Sequence, residues 1–319
     1  MNSGCTGMVQ VPEMLLLLLQ LLLLGSTAAP AAALAGHSAR AARNPSRDPR
    51  WALRRGYSPA EEGGCGCQNR TLCEPVTAVP PAEELFVFLE ASGPGNMTHD
   101  FYGYDWGAIT TIAVCHAEAL PPRAMAALVC RAHAANARVV WAKFVTQGLD
   151  APLLPVQQMH NSSARAAWIG RHVALVKSTG TDGINLDTEV PVAAGSAAAA
   201  VLTLFTTELR AALRAALPGG GGQLTMCTPS LAFGSCMYGR CYEYARLAAV
   251  LDFLVVMDYS GNGVGRLQGV SPWLATAALP SIQTGVAFYR SLGIPAAKLV
   301  MVVPVSATVI SLHDDMPSC

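Results

Sequence analysis

Short apolar runs rich in β-branched residues alternate with stretches of helical periodicity from Leu85 onward. The apolar runs predict seven strands, at residues 85–90, 109–115, 138–143, 183–189, 223–228, 251–259 and 298–304. The stretches between them predict helices near residues 122–135, 164–179, 192–217, 242–250 and 279–292. Because strands and helices alternate, the pattern predicts an α/β fold with a parallel sheet or barrel.

The predicted strand 183–189 carries the most informative polar face of the chain. Side chains alternate along a strand, so Asn185, Asp187 and Glu189 point to one side. Cβ atoms two positions apart are roughly 6–7 Å from each other, which lets two carboxyl groups share a hydrogen bond or a proton. A like-charge neighbour raises one pKa of such a pair, which suits the pair to acid–base catalysis. Spacing alone leaves a second interpretation open, a half-buried strand with solvated carboxylates.

The run from Asp182 to Glu189 resembles the Asp-Gly-x-Asp-x-Asp-x-Glu signature of glycoside hydrolase family 18, the chitinase-like barrels. Asn185 replaces the usual middle Asp, a variant that is similar to the di-N-acetylchitobiase branch of the family. The resemblance extends from Cys65 to Pro304 through collinear stretches at residues 65–67, 104–110, 137–140, 241–244, 252–259 and 298–304. It implies a (β/α)₈ TIM barrel with its chemistry at the carboxyl ends of the strands.

The resemblance also implies hydrolysis of β-1,4 bonds beside N-acetylglucosamine, in chitin oligomers and in the chitobiose core of asparagine-linked glycans. In the implied retaining reaction the acetamido oxygen of the substrate attacks the anomeric carbon, an exception to the two-carboxylate scheme. Glu189 is then the general acid and later the base, while Asp187 orients the acetamido group and stabilises its positive charge. Tyr259 is implied to donate its hydroxyl to the acetamido oxygen.

The remaining residues of the implied site have supporting roles. Asn185 and Met257 are assigned to substrate binding, and Asp182 and Gly183 to structure at the start of the strand. No cofactor and no metal ion are expected. An inactive chitinase-like sugar-binding protein is the alternative, and Glu189 argues against it because such proteins usually lack the final Glu of the signature.

The predicted barrel, residues 65–304, stops after its seventh strand. The last fifteen residues, 305–319, are interpreted as a divergent tail that leaves no room for another helix and strand. A missing eighth strand exposes two sheet edges, a defect expected to exceed a net stability of ~5–15 kcal/mol. A non-functional truncated product is therefore a further alternative.

Features outside the barrel indicate the secretory route. Residues 14–24 form an eleven-residue apolar core followed by small residues, so residues 1–35 are interpreted as a signal peptide. Residues 36–64 lack apolar periodicity and are interpreted as a disordered linker. Sequons make Asn69, Asn96 and Asn161 candidate glycosylation sites. The resemblance implies a lysosomal location, with an extracellular one as the alternative.

The cysteine content, the net charge and the hydropathy of the chain limit the ligands and partners that it is expected to bind. Among the ten cysteines, the cluster Cys65, Cys67 and Cys73 favours disulfides over a zinc half-site, because no His or Cys pair of matching spacing completes such a site. The net charge of zero argues against nucleic acid as a partner. No stretch after the predicted signal peptide is long and apolar enough to predict a membrane span. An oligosaccharide is the expected partner of a chain that is expected to be a monomer.

Overall fold

The structure is a computed structural model that describes residues 66–77, 83–90, 101, 103–115, 122–146, 153–231, 234–257 and 279–302. The predicted signal peptide (1–35), linker (36–64) and tail (305–319) lie outside these residues. Cys65, Asn96 and Tyr259 also lie outside them, so their proposed roles stay predictions.

Seven parallel strands form one sheet in which they follow each other in chain order. They are β1 (Phe86–Glu90), β2 (Thr111–Cys115), β3 (Arg138–Phe144), β4 (Gly183–Asp187), β5 (Gln223–Pro229), β6 (Phe253–Met257) and β7 (Leu299–Val302). The sheet curls into a nearly closed barrel, in which the rings of Phe86 on β1 and Phe253 on β6 pack edge to face with 5.8 Å between their centroids. The predicted α/β barrel with seven strands is confirmed.

The helices are α1 (Pro122–His133), α2 (Val156–Met159), α3 (Ser162–Thr179), α4 (Ala197–Ala216), α5 (Tyr244–Val250) and α6 (Leu279–Ser291). The Asn161 side chain caps the start of α3 by accepting from two backbone N–H groups at 2.9 and 3.2 Å, and Gly180 ends the helix in the left-handed conformation. Helix α4 begins at Ala197 and not at the predicted residue 192, because the Ser196 hydroxyl accepts from the Ala199 N–H at 3.2 Å. Within the described residues no helix has the length and apolar character needed to cross a membrane.

Period-two alternation divides the strands into an outer and an inner face. Ile184 and Leu186 of β4 lie in the large outer core, which packs the strands against the helices. Val255 and Met257 of β6 lie in a smaller cluster on the inner face, with half-buried apolar residues of β1 and β7 packed against it. Val255 and Met257 therefore face the inside of the barrel, and the inner face of β4 is the face opposite Ile184 and Leu186.

Two cysteines of the predicted cluster are in disulfides. Cys67 is bonded to Cys130 of α1 across 63 positions of sequence, and Cys73 is disulfide-bonded as well. The alternative of a zinc half-site is wrong for these two residues, because a disulfide sulfur is not the thiolate that zinc binds. A cross-link over so long a loop restricts the unfolded chain and is typically worth about 2–4 kcal/mol.

Asp182 joins the N-terminal segment to the amino ends of the strands. Its Oδ1 accepts from the backbone N–H of Val76 at 2.7 Å. Its Oδ2 accepts from the backbone N–H of Val139 at 2.6 Å and lies 2.9 Å from Nε2 of His133. The side chains of Asp182 and His133 are each only 2% exposed, so these interactions are shielded from water.

Stability is expected to fall as the pH rises through the titration of His133. Its two ring nitrogens face Asp182 and the Leu72 carbonyl, which lies at 2.7 Å, so both favour a ring N–H. Burial lowers the pKa of His133, but the hydrogen bond and charge of Asp182, with the Leu72 carbonyl, outweigh burial and place this pKa above its ordinary value of 6.5. The stabilisation is therefore complete below the unfolded-state value of about 6.5 and is lost as the pH rises through the raised folded value.

Urea unfolding at about pH 6 and about pH 9 measures this contribution. The midpoint of the unmodified chain is expected to be lower at the higher pH. The His133→Gln variant is expected to lose most of that difference. An equal difference in the two proteins would show that His133 does not carry the effect.

The outermost strands of the described sheet are β1 and β7. All four residues of β7 are half-buried, whereas β5 and β6 are buried throughout.

A cavity of about 860 Å³ lies at the amino ends of the strands, where Glu83, Glu84, Leu299 and Met301 are among the residues that line it. Asp187 is at the opposite end of the strands, so this cavity is separate from the candidate active site.

Candidate active site

The inner face of β4 begins with Asn185, which is fully buried. Its Nδ2 donates to Oγ1 of Thr225 at 2.8 Å, and its Oδ1 accepts from the thiol of Cys227 at 3.2 Å. Both partners belong to β5, which pairs with β4 in register. Asn185 therefore fixes the β4–β5 pair beneath the carboxylates, and its predicted contact with a sugar stays a prediction.

Gly183 begins β4 at a position where no side chain fits. An added Cβ would lie 1.9 Å from the carbonyl oxygen of Gln223, at the start of β5. This close approach lets the N–H of Gln223 donate to the carbonyl of Asp182 at 2.8 Å. The contacts of Asp182 and Gly183 therefore give physical reasons for assigning both residues to structure.

Asp187 is the last residue of β4 and lies in register between Phe144 of β3 and Cys227 of β5. Burial raises the pKa of Cys227 well above its ordinary value, and the charges of Asp187, Cys115 and Glu189 raise it further. Because Cys227 belongs to the inner face of the barrel, the charges of both Asp187 and Glu189 are felt there. Its register beside the inward-facing Cys227 places Asp187 on the inner face of β4, and the orientation predicted for Glu189 stays a prediction.

Glu189 lies two residues beyond the end of β4, so the prediction of a strand through residue 189 was too long. Strand pairing ends at Asp187, and beyond it the carbonyls of Thr188 and Val190 share the single O–H of Tyr242, with 2.8 Å from each to the hydroxyl oxygen. Burial raises the pKa of Tyr242 well above its ordinary value, so the hydroxyl keeps its proton and remains a donor.

Arg240 is the charged partner of Glu189. Its Nη2 donates to Oε2 of Glu189, and the two side chains are 11% and 28% exposed, respectively. Sequence reasoning missed Arg240 because 51 positions separate the two residues and Arg240 lies outside the signature that drew attention to Glu189. The carboxyl group assigned to acid–base catalysis is therefore half of a largely buried ion pair.

A disulfide-closed loop presents Arg240 to the site. Cys236 and Cys241 are bonded to each other, and Gly239 between them adopts the left-handed conformation with φ 72°. The N–H of Val192 donates to the Gly239 carbonyl at 2.9 Å, and the N–H of Cys241 donates to the Val192 carbonyl at 3.1 Å. The loop is thus docked on the segment that follows the carboxylates, and the Cys-x₄-Cys spacing was the sequence signal that could have indicated it.

The remaining predicted site residues that the structure describes include Met257, Asn69 and Asn161. Met257 ends β6 on the inner face and pairs in register with Pro229 and Val302 on either side. Its contact with substrate stays a prediction. The sequon residues Asn69 and Asn161 are exposed, and their glycosylation also stays a prediction.

The candidate site lies at the carboxyl ends of the strands, the end at which parallel barrels hold their catalytic residues. Residues 91–100, 116–121, 147–152 and 258–278, which follow β1, β2, β3 and β6 at this end, lie outside the described residues. Among the residues that the structure does describe, no group of three or more His, Cys, Asp or Glu side chains could hold a metal ion. The chemistry that these residues offer is proton transfer and charge stabilisation by Asp187 and Glu189.

Comparison with known proteins agrees with the fold and with the signature. A sequence profile of the glycosyl hydrolases family 18 matches residues 156–316, half of the chain, and this span includes both carboxylates. The di-N-acetylchitobiase of Rattus norvegicus is 33% identical over 242 residues, which cover 75% of this chain and 58% of that protein. The di-N-acetylchitobiase of Homo sapiens is 31% identical over 243 residues, with coverages of 75% and 55%.

A solved class V chitinase from Nicotiana tobaccum superposes with a TM-score of 0.50 at 14% identity, over 68% of this chain and 65% of that one. That likeness concerns the fold alone. The chain spans a little over half the length of the relatives that it matches. The profile match, which includes the Asp182–Glu189 run that spans β4, confirms the resemblance drawn from the sequence. The chain belongs to family 18 of the glycosyl hydrolases.

Proposed function

We propose that the chain is a glycosidase that hydrolyses the β-1,4 bond of N-acetylglucosamine oligosaccharides, including chitin oligomers and the chitobiose core of asparagine-linked glycans. The observation that carries this proposal is the placement of Asp187 and Glu189 together at the carboxyl end of β4 in a family 18 barrel. Catalytic groups occupy that end of the strands in barrels of this architecture. The substrate class is supported by relatives that carry the name di-N-acetylchitobiase.

In the first step of the proposed reaction, the Glu189 carboxyl gives its proton to the glycosidic oxygen as the bond from that oxygen to C1 breaks. The acetamido oxygen of the same sugar attacks C1 and closes an oxazolinium ring. The Asp187 carboxylate orients the acetamido group and stabilises the positive charge that develops on the ring. The enzyme contributes no nucleophile in this scheme, so the positioned substrate supplies it.

In the second step, a water molecule attacks C1 from the face that the leaving group vacated. The Glu189 carboxylate takes a proton from this water and regains its acid form, while the C1–O bond of the oxazolinium ring breaks and restores the acetamido group. C1 is substituted twice, and the product therefore retains the β configuration. Each carboxylate keeps one role in this cycle: Glu189 moves protons and Asp187 stabilises charge.

Delivery to the lysosome through the secretory pathway is part of the proposal. The apolar core at residues 14–24 and the exposed sequon residues Asn69 and Asn161 are features expected of a secretory protein. Release to the extracellular space is the alternative, which immunofluorescence of the full chain against a lysosomal membrane marker distinguishes.

A comparison of two dimers tests the proposed function. The chain is expected to hydrolyse di-N-acetylchitobiose and to act on the de-N-acetylated dimer at least about 10³-fold more slowly, because removal of the acetyl group removes the positioned nucleophile. Product release at about pH 5 is measured by chromatography, with cellobiose as a control that has the same linkage and no nitrogen. Equal rates on the two glucosamine dimers would contradict substrate assistance. A folded chain that binds di-N-acetylchitobiose in calorimetry and leaves it intact would identify a sugar-binding protein.

A further inference from the structure

We propose that Arg240 is a positioning residue for catalysis, which holds Oε2 of Glu189 so that Oε1 carries the proton delivered to the leaving group. This role rests on the proposed function of Glu189 as the acid and base. It goes beyond that function by assigning separate roles to the two carboxyl oxygens. It also assigns a task to a loop that sequence reasoning did not connect with the site.

The contact of Arg240 with Glu189 involves one defined oxygen. Nη2 of the guanidinium donates to Oε2, and the arginine side chain is 11% exposed. Nε of Arg240 is buried and has no hydrogen-bond acceptor within the described residues. Glu189 is therefore the carboxylate that compensates the charge of this guanidinium in the described part of the site.

The backbone of Arg240 is held on several sides. The disulfide between Cys236 and Cys241 closes the loop that contains it. Its carbonyl accepts from the Tyr244 hydroxyl at 2.5 Å, and its guanidinium carbon lies 5.4 Å from the centroid of the Tyr238 ring. These contacts limit the number of conformations from which the guanidinium reaches Glu189.

Glu189 is held from the same loop. The single O–H of Tyr242 is shared between the carbonyls on either side of Glu189, those of Thr188 and Val190, and Val192 further along is bridged to Arg240. The chain segment that presents the carboxyl group and the segment that presents the guanidinium thus form one unit. In such a unit a displacement of Arg240 changes the position of the Glu189 carboxyl itself.

The chemistry of the two groups then decides where the proton lies. A protonated carboxyl has one O–H donor and one carbonyl oxygen that only accepts. A guanidinium has donors and no acceptor, and it does not lose its proton in proteins, so the oxygen in contact with Arg240 has to be the accepting one. The proton is left on Oε1. When that proton passes to the glycosidic oxygen, the same contact stabilises the negative charge that appears on the carboxylate.

Two substrates that differ in the leaving group test this role in the full chain. The sugar that leaves from di-N-acetylchitobiose needs a proton, whereas the 4-nitrophenolate that leaves from 4-nitrophenyl N-acetyl-β-glucosaminide does not. Arg240→Gln is expected to lower kcat on di-N-acetylchitobiose about 10²-fold with little change in KM, and to lower kcat on the aryl glycoside by a clearly smaller factor, because that substrate needs Glu189 only as the base of the second step. Arg240→Lys is expected to recover part of the loss, because a lysine restores a charged donor without the geometry of the guanidinium.

Arg246→Gln is the matched control. Arg246 pairs with Glu243 on the outside of α5 and is 67% exposed, so this substitution removes a nearby arginine without touching Glu189. It is expected to leave kcat on both substrates unchanged. Circular dichroism and thermal melting accompany each variant to report its fold.

The outcomes separate the positioning role from the alternatives. Equal losses on the two substrates in a destabilised Arg240→Gln protein would reduce Arg240 to a structural residue and overturn the proposal. Unchanged kcat on di-N-acetylchitobiose would overturn it as well. A folded unmodified chain that cleaves neither substrate would overturn the proposed function, and the positioning role with it.

Discussion

Glu189→Gln is expected to lower hydrolysis of di-N-acetylchitobiose by at least about 10³-fold while the chain stays folded. Glutamine has nearly the same shape but neither gives a proton to the glycosidic oxygen nor takes one from water, so both proposed steps lose their proton carrier. Its amide oxygen can still accept from Arg240, which limits the structural disturbance at the ion pair. The measurement is the initial rate of N-acetylglucosamine release at about pH 5, with thermal melting of both proteins.

The control for this prediction is Glu208→Gln. Glu208 of α4 receives two hydrogen bonds from Arg165 of α3 at 2.7 and 2.8 Å, so this ion pair joins two helices and includes no residue of the candidate site. Loss of this ion pair is expected to leave turnover unchanged. If Glu189→Gln kept more than a tenth of the original rate, Glu189 would not be the acid and base of this reaction.

Asp182→Asn is expected to destabilise the fold by about 3–5 kcal/mol, because it breaks a buried pair with His133 and reduces the number of accepting oxygens from two to one. Three donors converge on Asp182: the backbone N–H groups of Val76 and Val139 and a ring N–H of His133. The new amide nitrogen would face a donor and leave it unsatisfied in a site that is 2% exposed. Urea unfolding at about pH 6, where His133 carries its charge, measures the loss.

Asp252→Asn is the matched control for Asp182. Asp252 likewise precedes a strand and accepts from the N–H of Leu224 and from Nη2 of Arg210, both at 2.7 Å. Its side chain is 43% exposed, so water screens the ion pair and can replace the lost interactions. The expected loss is about 1 kcal/mol. Similar losses in the two variants would show that burial does not set the contribution of Asp182.

The α/β barrel and the faces of its strands followed from local pattern. Side-chain direction on a strand repeats every second residue, so alternation predicted a shared side for Asn185 and Asp187; Ile184 and Leu186, on the opposite side, lie in the outer core. The end of β4 was predicted two residues too late, and the carbonyl of Thr188 just beyond it accepts from the hydroxyl of Tyr242, far along the chain. Local periodicity contains no information on such a contact.

The partners of the site residues could not be predicted for the same reason. Arg240 meets Glu189 across 51 positions, and Val76 meets Asp182 across 106. His133 lies at the end of an ordinary amphipathic helix, and no feature of that helix indicates a carboxylate beside the ring. These contacts arise when the barrel brings distant segments together, so only the folded chain displays them.

In the proposed reaction, the barrel retains configuration by using the acetamido group of its substrate together with Glu189. Proton NMR of the unmodified chain with di-N-acetylchitobiose at acid pH tests this claim most directly, because the anomeric signals report cleavage and configuration in one time course. The newly formed anomeric centre is expected to be β, so the β anomer of N-acetylglucosamine is expected to exceed its equilibrium share at first and to fall to that share by mutarotation. An initial excess of the α anomer over its equilibrium share, or a folded chain that leaves the dimer uncleaved, would contradict the proposed reaction.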